Sequence, residues 1–132
     1  MPPENPSSSL TWLAHAKSDL LLSKLGVQKE VLLNALCYHA QQAVEKSLKA
    51  VLIQHQTQFE FTHNIKNLIS SLPKDIERPI FFEELPILTD YAVSTRYPGD
   101  YEEIFEKEYM EAVLLAEQTF LWAETILKKT LL

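Results

Sequence analysis

The chain has 132 residues, of which 46% are hydrophobic, and its formal net charge is −6 at pH 7. This composition indicates one globular domain and excludes a disordered chain, and the negative balance argues against non-specific nucleic-acid binding by the whole surface. The single cysteine, Cys37, excludes a disulfide framework within one chain.

The first residues, MPPENPSSS, contain neither a basic region nor an apolar run, so they do not resemble a secretory signal. We expect residues 1–9 to form a disordered tail and residues 10–132 to form a single helical domain. No apolar stretch in the sequence is long enough to cross a membrane. Together with the lone cysteine, which fits a reducing compartment, this favours a cytoplasmic location.

Two helical patterns come first along the chain. Apolar residues recur at helical spacing over residues 10–25, after a serine at position 8 or 9 that can cap the helix and before Gly26, which can end it. The next pattern is the strongest and predicts a helix over residues 29–55, which contains no glycine or proline.

Three further helical segments follow. The stretch FTHNIKNLISSLP predicts a helix over 63–72, with Thr62 as the cap and Pro73 as the stop. A helix over 80–94 is expected to kink or restart at Pro86, and a last helix should span 102–130. Short connections favour antiparallel neighbours, so we predict an all-α, up-and-down helical bundle with four main helices and a short extra helix.

A polar stripe accompanies the apolar stripe of the second helix. Its residues, at steps of three and four, are His39, Gln42, Lys46 and Lys49. The stripe is either a solvated face or the wall of a cleft, in which lysines neutralise phosphates while His39 and Gln42 hydrogen-bond a base, a sugar or a partner chain. His63, at the start of the third helix, has either a purely structural place or the role of a neutral imidazole that relays a hydrogen bond.

Metal and cofactor sites are not expected. The four histidines form no HxxxH or HExxH pair, and the sequence lacks a glycine-rich phosphate loop. The acidic run over residues 100–111 is typical of a solvated helix start, which the helix dipole favours, rather than of a magnesium site.

The loop TRYPGDYEE, residues 95–103, contains an arginine and two tyrosines in addition to the proline and glycine that a turn requires. Arg96 is permanently charged and can fork toward a carboxylate or a phosphate, and Tyr97 offers a ring that can stack on a base or pack in an interface. The loop is therefore a candidate binding corner. The alternative is structural, with Arg96 locking the loop by pairing with Glu45 or Asp90.

Four segments together resemble the HEPN domain family, in the order in which that family has them. They are LTWLAHAKSDLLLSKL, CYHAQQAVEKSLKAVLI, FTHNIKNLISSL and LTDYAVSTRYPGDYEE. The resemblance covers residues 10–130 and is to the type associated with minimal nucleotidyltransferases. It implies an all-α bundle that usually dimerises, and either of two roles. One is a subunit encoded beside a nucleotidyltransferase in a toxin–antitoxin-like module, and the other is a metal-independent ribonuclease.

The ribonuclease members of the family carry an arginine, four to six residues and then a histidine, and this chain departs from that motif. No histidine occurs in the seven residues after Arg96, where Tyr101 takes the nearest position. A tyrosine, with a pKa of about 10, is a poor general base at neutral pH. If the partner transfers nucleotides onto this chain, Tyr101 is the first hydroxyl to consider.

These observations predict a non-catalytic homodimeric subunit that binds a nucleotide or RNA, or docks a minimal nucleotidyltransferase. The candidate cleft residues are Arg96, Tyr97, Tyr101, His39, Gln42, Lys46, Lys49 and His63. One alternative is a divergent ribonuclease toxin acting through Arg96, with His39 or His63 brought in by the fold. The other is a structural dimeric interaction module.

Overall fold

The computed structural model describes residues 8–59, 62–94 and 103–131. In these ranges the chain is helical and forms no β-strand, and this confirms the predicted all-α bundle. The α-helices are α1 (Ser9–Ser23), α2 (Leu33–Gln54), α3 (Ile65–Ser71), α4 (Tyr91–Ser94) and α5 (Glu106–Leu131). Two 3₁₀ segments, Ile80–Glu83 and Leu85–Asp90, precede α4.

The central element is α2, which contacts α1, α3, α4, α5 and the second 3₁₀ segment. Every residue from 36 to 52 is buried except Tyr38, His39 and Lys46, which are partly exposed. Such all-round burial explains the many small side chains of this helix, since they allow several neighbours to approach its backbone. The polar residues of α2 are therefore largely internal.

The helices α1 and α2 pack antiparallel. The Ser9 hydroxyl at the start of α1 donates to Gln54 Oε1 at the end of α2 over 2.6 Å. The predicted serine cap of α1 is confirmed, because the Ser8 side chain accepts from the backbone N–H of Thr11. After α1, Gly26 adopts a φ of +79°, which a glycine tolerates without steric cost.

Two predicted helix starts were too early. The second helix begins at Leu33 rather than at residue 29, because Glu30 takes a left-handed φ of 67° that cannot continue a helix. The last helix begins at Glu106 rather than at 102, and residues 103–105 are not helical.

The third helix is also capped differently from the prediction. Its N-cap is Asn64, whose side chain accepts from the N–H of Asn67, while the Thr62 hydroxyl accepts from the N–H of Asn64 just before the helix. Beyond its C-terminus, the Arg78 guanidinium donates to the backbone carbonyls of Ile69, Leu72, Pro73 and Ile76. This arginine thereby ties the C-terminal end of α3 to the turn that follows it.

The restart expected at Pro86 is confirmed, but the prediction that residues 80–94 form an α-helix was wrong for most of that stretch. Two 3₁₀ segments and the single α-turn of α4 occupy that stretch. Pro86 stands at the start of the second 3₁₀ segment, where its missing N–H and its ring prevent a continuous α-helix through this point. Phe82 anchors the first 3₁₀ segment on α5 through an edge-to-face contact with Trp122, with ring centroids 4.8 Å apart.

Two further predictions were a disordered tail over residues 1–9 and the absence of a segment that could cross a membrane. Residues 1–7 lie outside the described residues, and Ser9 already belongs to α1. The division into a tail and one domain therefore stays a prediction. None of the helices in the described ranges has the length and apolar character that a membrane crossing requires.

Candidate binding site on the central helix

A buried carboxylate on α1 organises the first part of the site. Asp19 accepts from Lys46 Nζ at 2.7 Å through one oxygen, and its other oxygen lies 2.9 Å from His39 Nδ1. His39 and Lys46 are seven residues apart, which is about two helical turns, so both project from the same side of α2. We call these three residues the Asp19 cluster.

A second buried carboxylate, Glu45 on α2, organises the other part. Its Oε2 accepts from Lys49 Nζ at 3.0 Å, and its Oε1 lies 2.8 Å from His63 Nδ1. The same Oε1 accepts from Gln41 Nε2 at 3.1 Å, and Gln41 Oε1 in turn accepts from Gln42 at 2.8 Å. We call these five residues the Glu45 cluster. Its chain of hydrogen bonds fixes the side chains on this side of α2.

Lys49 is buried between a carboxylate, that of Glu45, and an aromatic ring, that of Trp12. Besides its ion pair with Glu45, its Nζ lies 5.5 Å from the ring centroid of Trp12 on α1. The ring face attracts the cation, and burial strengthens this attraction. Lys49 therefore joins α1 to α2. The interpretation of the stripe as a solvated face is wrong at Gln42 and Lys49, since both side chains are buried.

The charges of the two clusters nearly cancel. Each cluster contains one carboxylate and one ammonium within 3.0 Å of each other. Lys46 and Lys49 are thus already paired, so they attract a phosphate less than unpaired lysines would. With neutral imidazoles, the site favours recognition by hydrogen bonds over recognition by net charge.

The two histidines are the exposed members of the clusters. Their side chains are 33% (His39) and 53% (His63) exposed. A carboxylate only accepts hydrogen bonds, so the Nδ1 of each ring must carry the proton that the bond needs. The Nε2 of each ring has no hydrogen-bond partner within residues 8–59, 62–94 and 103–131, and in the neutral ring it is an acceptor.

The loop residues of the predicted site lie outside the described residues. Arg96, Tyr97 and Tyr101 all fall in the stretch 95–102. The structural alternative for Arg96 named Glu45 as a partner, and that carboxylate is engaged by Lys49, His63 and Gln41. The roles of the three loop residues stay predictions.

The acidic start of α5 is solvated where the structure describes it. Glu103, Glu106, Glu108 and Glu111 are exposed. Across the described parts of the chain, no group of three or more histidine, cysteine, aspartate or glutamate residues is arranged to hold a metal ion. The site described above is therefore built from hydrogen bonds and ion pairs.

The lone cysteine, Cys37, is a free thiol buried in the core. Burial, together with the smaller effect of the nearby Glu108 carboxylate, raises the pKa of the Cys37 thiol to about 12, although a hydrogen bond with Tyr91 opposes the rise. Burial likewise raises the pKa of the Tyr91 hydroxyl, and the charges of Cys37 and Glu108 and hydrogen bonds to both add to the rise. Since only the thiolate is nucleophilic, the buried thiol of Cys37, with its raised pKa, is a poor nucleophile in the folded chain.

Sequence reasoning missed four residues of this site: Trp12, Asp19, Gln41 and Glu45, the last of which was considered only as a structural partner of Arg96. Gln41 precedes Glu45 by four residues, and Lys49 follows Glu45 by four. That spacing allows the three side chains to meet on one side of a helix and could have revealed the cluster. Asp19 carried a weaker signal, as the one carboxylate within the apolar pattern of α1.

Comparisons with known proteins agree with this architecture. The model of the HEPN domain family matches residues 9–126. A crystal structure of TT1696 from Thermus thermophilus superposes with a TM-score of 0.73 at 27% sequence identity, covering 89% of this chain and 96% of that one. No curated protein sequence matches this chain.

Proposed function

This chain belongs to the HEPN domain family, and on that premise we propose that it is a non-catalytic subunit that binds a nucleotide or RNA beside α2. The observation that carries the proposal is the pair of carboxylate-held imidazoles, His39 and His63. Each presents one defined ring nitrogen from a rigid, buried support. Such groups suit the edge of a base or a ribose hydroxyl.

The phosphates of a nucleotide or RNA are negatively charged, so binding needs a cation that is not already paired within the two clusters. Lys46 and Lys49 are paired with Asp19 and Glu45, respectively. In this proposal Arg96 provides the phosphate contact, because a guanidinium forms two parallel hydrogen bonds with phosphate oxygens. Tyr97 supplies a ring on which a base can stack. Arg96 is followed by no histidine at the spacing of the ribonuclease motif, which favours binding over cleavage.

The proposal extends to the assembly. A cytoplasmic homodimer would bring two copies of the site together, and a minimal nucleotidyltransferase would be the protein partner in a toxin–antitoxin-like module. The support is the likeness of the Arg-Tyr-Pro segment and of α2 to members of that type. Sedimentation of the purified protein tests the dimer, and co-purification with the product of the adjacent gene tests the partner.

Calorimetric titration tests ligand binding. ATP and a short single-stranded RNA are added separately to the full chain, and to His39→Gln, His63→Gln and Arg96→Ala. We expect saturable binding that each histidine variant weakens about three- to tenfold, because a neutral hydrogen bond contributes about 0.5–1.5 kcal/mol. His55→Gln is the matched control, since the His55 imidazole belongs to neither cluster and, within the described ranges, pairs with the backbone carbonyl of Val51. Absence of saturation at about 1 mM ligand would refute the proposal.

A divergent ribonuclease is the second candidate, and one observation favours it. The Nδ1–H groups of His39 and His63 donate to carboxylates over 2.9 and 2.8 Å, and such hydrogen bonds resemble those that orient a general base. Incubation of the protein with RNA in the presence of EDTA decides between the candidates. Cleavage that is lost in Arg96→Ala and in His39→Gln, but kept in His55→Gln, would establish the ribonuclease.

A further inference from the structure

A groove of about 630 Å³ lies on another part of the surface, between α5 and the 3₁₀ segments. It is separate from the Asp19 and Glu45 clusters, and none of their residues lines it. Its lining includes the apolar side chains of Ile87, Leu88, Leu114 and Leu115. Ile87 and Leu114 are more than half exposed, although each is a large aliphatic side chain. We call this feature the α5 groove.

Glutamates line both walls of the α5 groove. Glu83 and Glu84 belong to the wall of the 3₁₀ segments, and Glu108 and Glu111 belong to the wall formed by α5. All four are exposed, and no lysine, arginine or histidine is among the described residues that line the groove. An apolar floor between two acidic walls repels phosphates and attracts a cationic surface that also offers apolar side chains.

The walls are held in place by the core. Phe82 packs edge-to-face against Trp122 of α5, and Phe81 packs against Phe82 with ring centroids 5.1 Å apart. The Tyr91 hydroxyl of α4, which follows the 3₁₀ segments, hydrogen-bonds Glu108 of α5 and so links the two walls. A groove with fixed walls loses little conformational entropy when it binds a partner.

We propose that the α5 groove docks an amphipathic helix of a partner protein, with an apolar stripe flanked on both sides by lysine or arginine. The apolar stripe would cover Ile87 and Leu114, and the two rows of cations would face the two acidic walls. From Glu108 to Gln118, α5 extends along the groove for about 15 Å, which a helix of about 10 residues spans, so a helix of about 14 residues covers the groove and extends about one turn beyond it. Burying an apolar stripe in a groove is a common mode of helix recognition.

Fluorescence anisotropy with a labelled synthetic peptide tests the proposal. The probe is a helix of about 14 residues with leucines at helical spacing and lysines on both flanks. A second peptide has glutamates in place of the lysines. At about 0.15 M salt we expect saturable binding of the lysine peptide and none of the glutamate peptide, since like charges that face each other in an interface oppose association.

Two matched pairs of variants distinguish binding in the α5 groove from non-specific attraction of the peptide to the protein surface. Glu111→Lys lies on the groove and Glu77→Lys does not, yet both change the net charge by the same amount. Likewise, Leu114→Ser is in the groove and Leu21→Ser is on α1, with side chains of similar exposure at 55% and 57%. We expect each groove variant to weaken binding about tenfold and each control to leave it unchanged.

Three results would overturn the proposal. The first is equal weakening by Glu111→Lys and Glu77→Lys, which would show non-specific Coulomb attraction. The second is a lack of saturable binding of the lysine peptide by the folded wild-type chain. The third is dissociation of a dimer into monomers by Leu114→Ser in sedimentation, because a second copy of the chain would then cover the groove.

Discussion

Removing the carboxylate at the centre of the Glu45 cluster should destabilise the fold strongly. Glu45→Gln keeps the volume of the side chain and an oxygen that can accept from Gln41 or His63, but it removes the negative charge that pairs with Lys49. The side chains of Lys49 and Glu45 are only 5% and 4% exposed, so water cannot replace the lost partner. Lys49→Met creates the reverse situation, with Glu45 as the uncompensated charge.

The expected magnitude follows from this burial. Breaking a buried ion pair by removing one partner costs about 3–5 kcal/mol, so we expect each single variant to lose about 3 kcal/mol of unfolding free energy. The double variant removes both buried charges together, and should lose about 3 kcal/mol less than the sum of the two single losses. A domain of this kind is stable by about 5–15 kcal/mol, so the variants should still fold.

Urea unfolding followed by far-UV circular dichroism measures these losses. With a slope of about 1.5–2 kcal/mol per molar urea, a loss of about 3 kcal/mol moves the midpoint by about 1.5–2 M. Glu117→Gln is the control, because the Lys24–Glu117 pair has the same 3.0 Å distance but side chains that are 41% and 40% exposed. It should lose less than about 1 kcal/mol. Additive losses in the double variant, or a Glu45→Gln loss no larger than that of Glu117→Gln, would refute the reasoning.

Four further predictions concern single positions. Since its pKa rises from 9.0 to about 12, Cys37 should be ~1000-fold less ionised at about pH 8 in the fold than in denaturant, and a thiol reagent should label it only after unfolding. Ser8→Ala removes the α1 cap and should lower the urea stability by about 1 kcal/mol, which Ser8→Asp should restore. Gly26→Ala should cost about 1 kcal/mol through its φ of +79° alone, because an added Cβ meets no atom within 4 Å. Tyr109→Phe leaves the Ser23 carbonyl and the Gly26 N–H without their hydroxyl partner, and should cost about 1–3 kcal/mol by the same assay; an unchanged midpoint would contradict this.

The long helices could be predicted because the spacing of apolar residues along each segment is a local property of the sequence. The patterns around α1, α2 and α5 are regular enough to predict each helix, and the errors lie at ends where no side-chain cap marks the start. Leu32, the N-cap of α2, makes no side-chain hydrogen bond, so nothing at that position indicated the boundary. Over 80–94 the pattern remained apolar while Pro86 broke the backbone hydrogen bonding, and tertiary anchoring by Phe82 then decided the conformation.

The candidate site was harder to predict because its contacts are distant in the sequence. His39 and Lys46 were placed on one side of α2, and the structure agrees. Their shared partner, Asp19, belongs to another helix, and helical spacing within α2 carries no information about it. Lys49 was expected in a cleft wall as a cation for phosphate, but Trp12 and Glu45 enclose it. A polar residue within a helix that is buried on all sides cannot be distinguished from a surface residue by periodicity alone.

The position of α2 at the centre of the bundle also affects how the chain folds during synthesis. A ribosome makes α1 and α2 first, and the side of α2 that packs on α5 stays uncovered until the last helix has left the exit tunnel. The nascent chain therefore exposes the apolar side chains on that side of α2 until α5 has emerged. Folding of this domain is completed after translation of α5, and a chaperone that holds apolar segments has that interval in which to act.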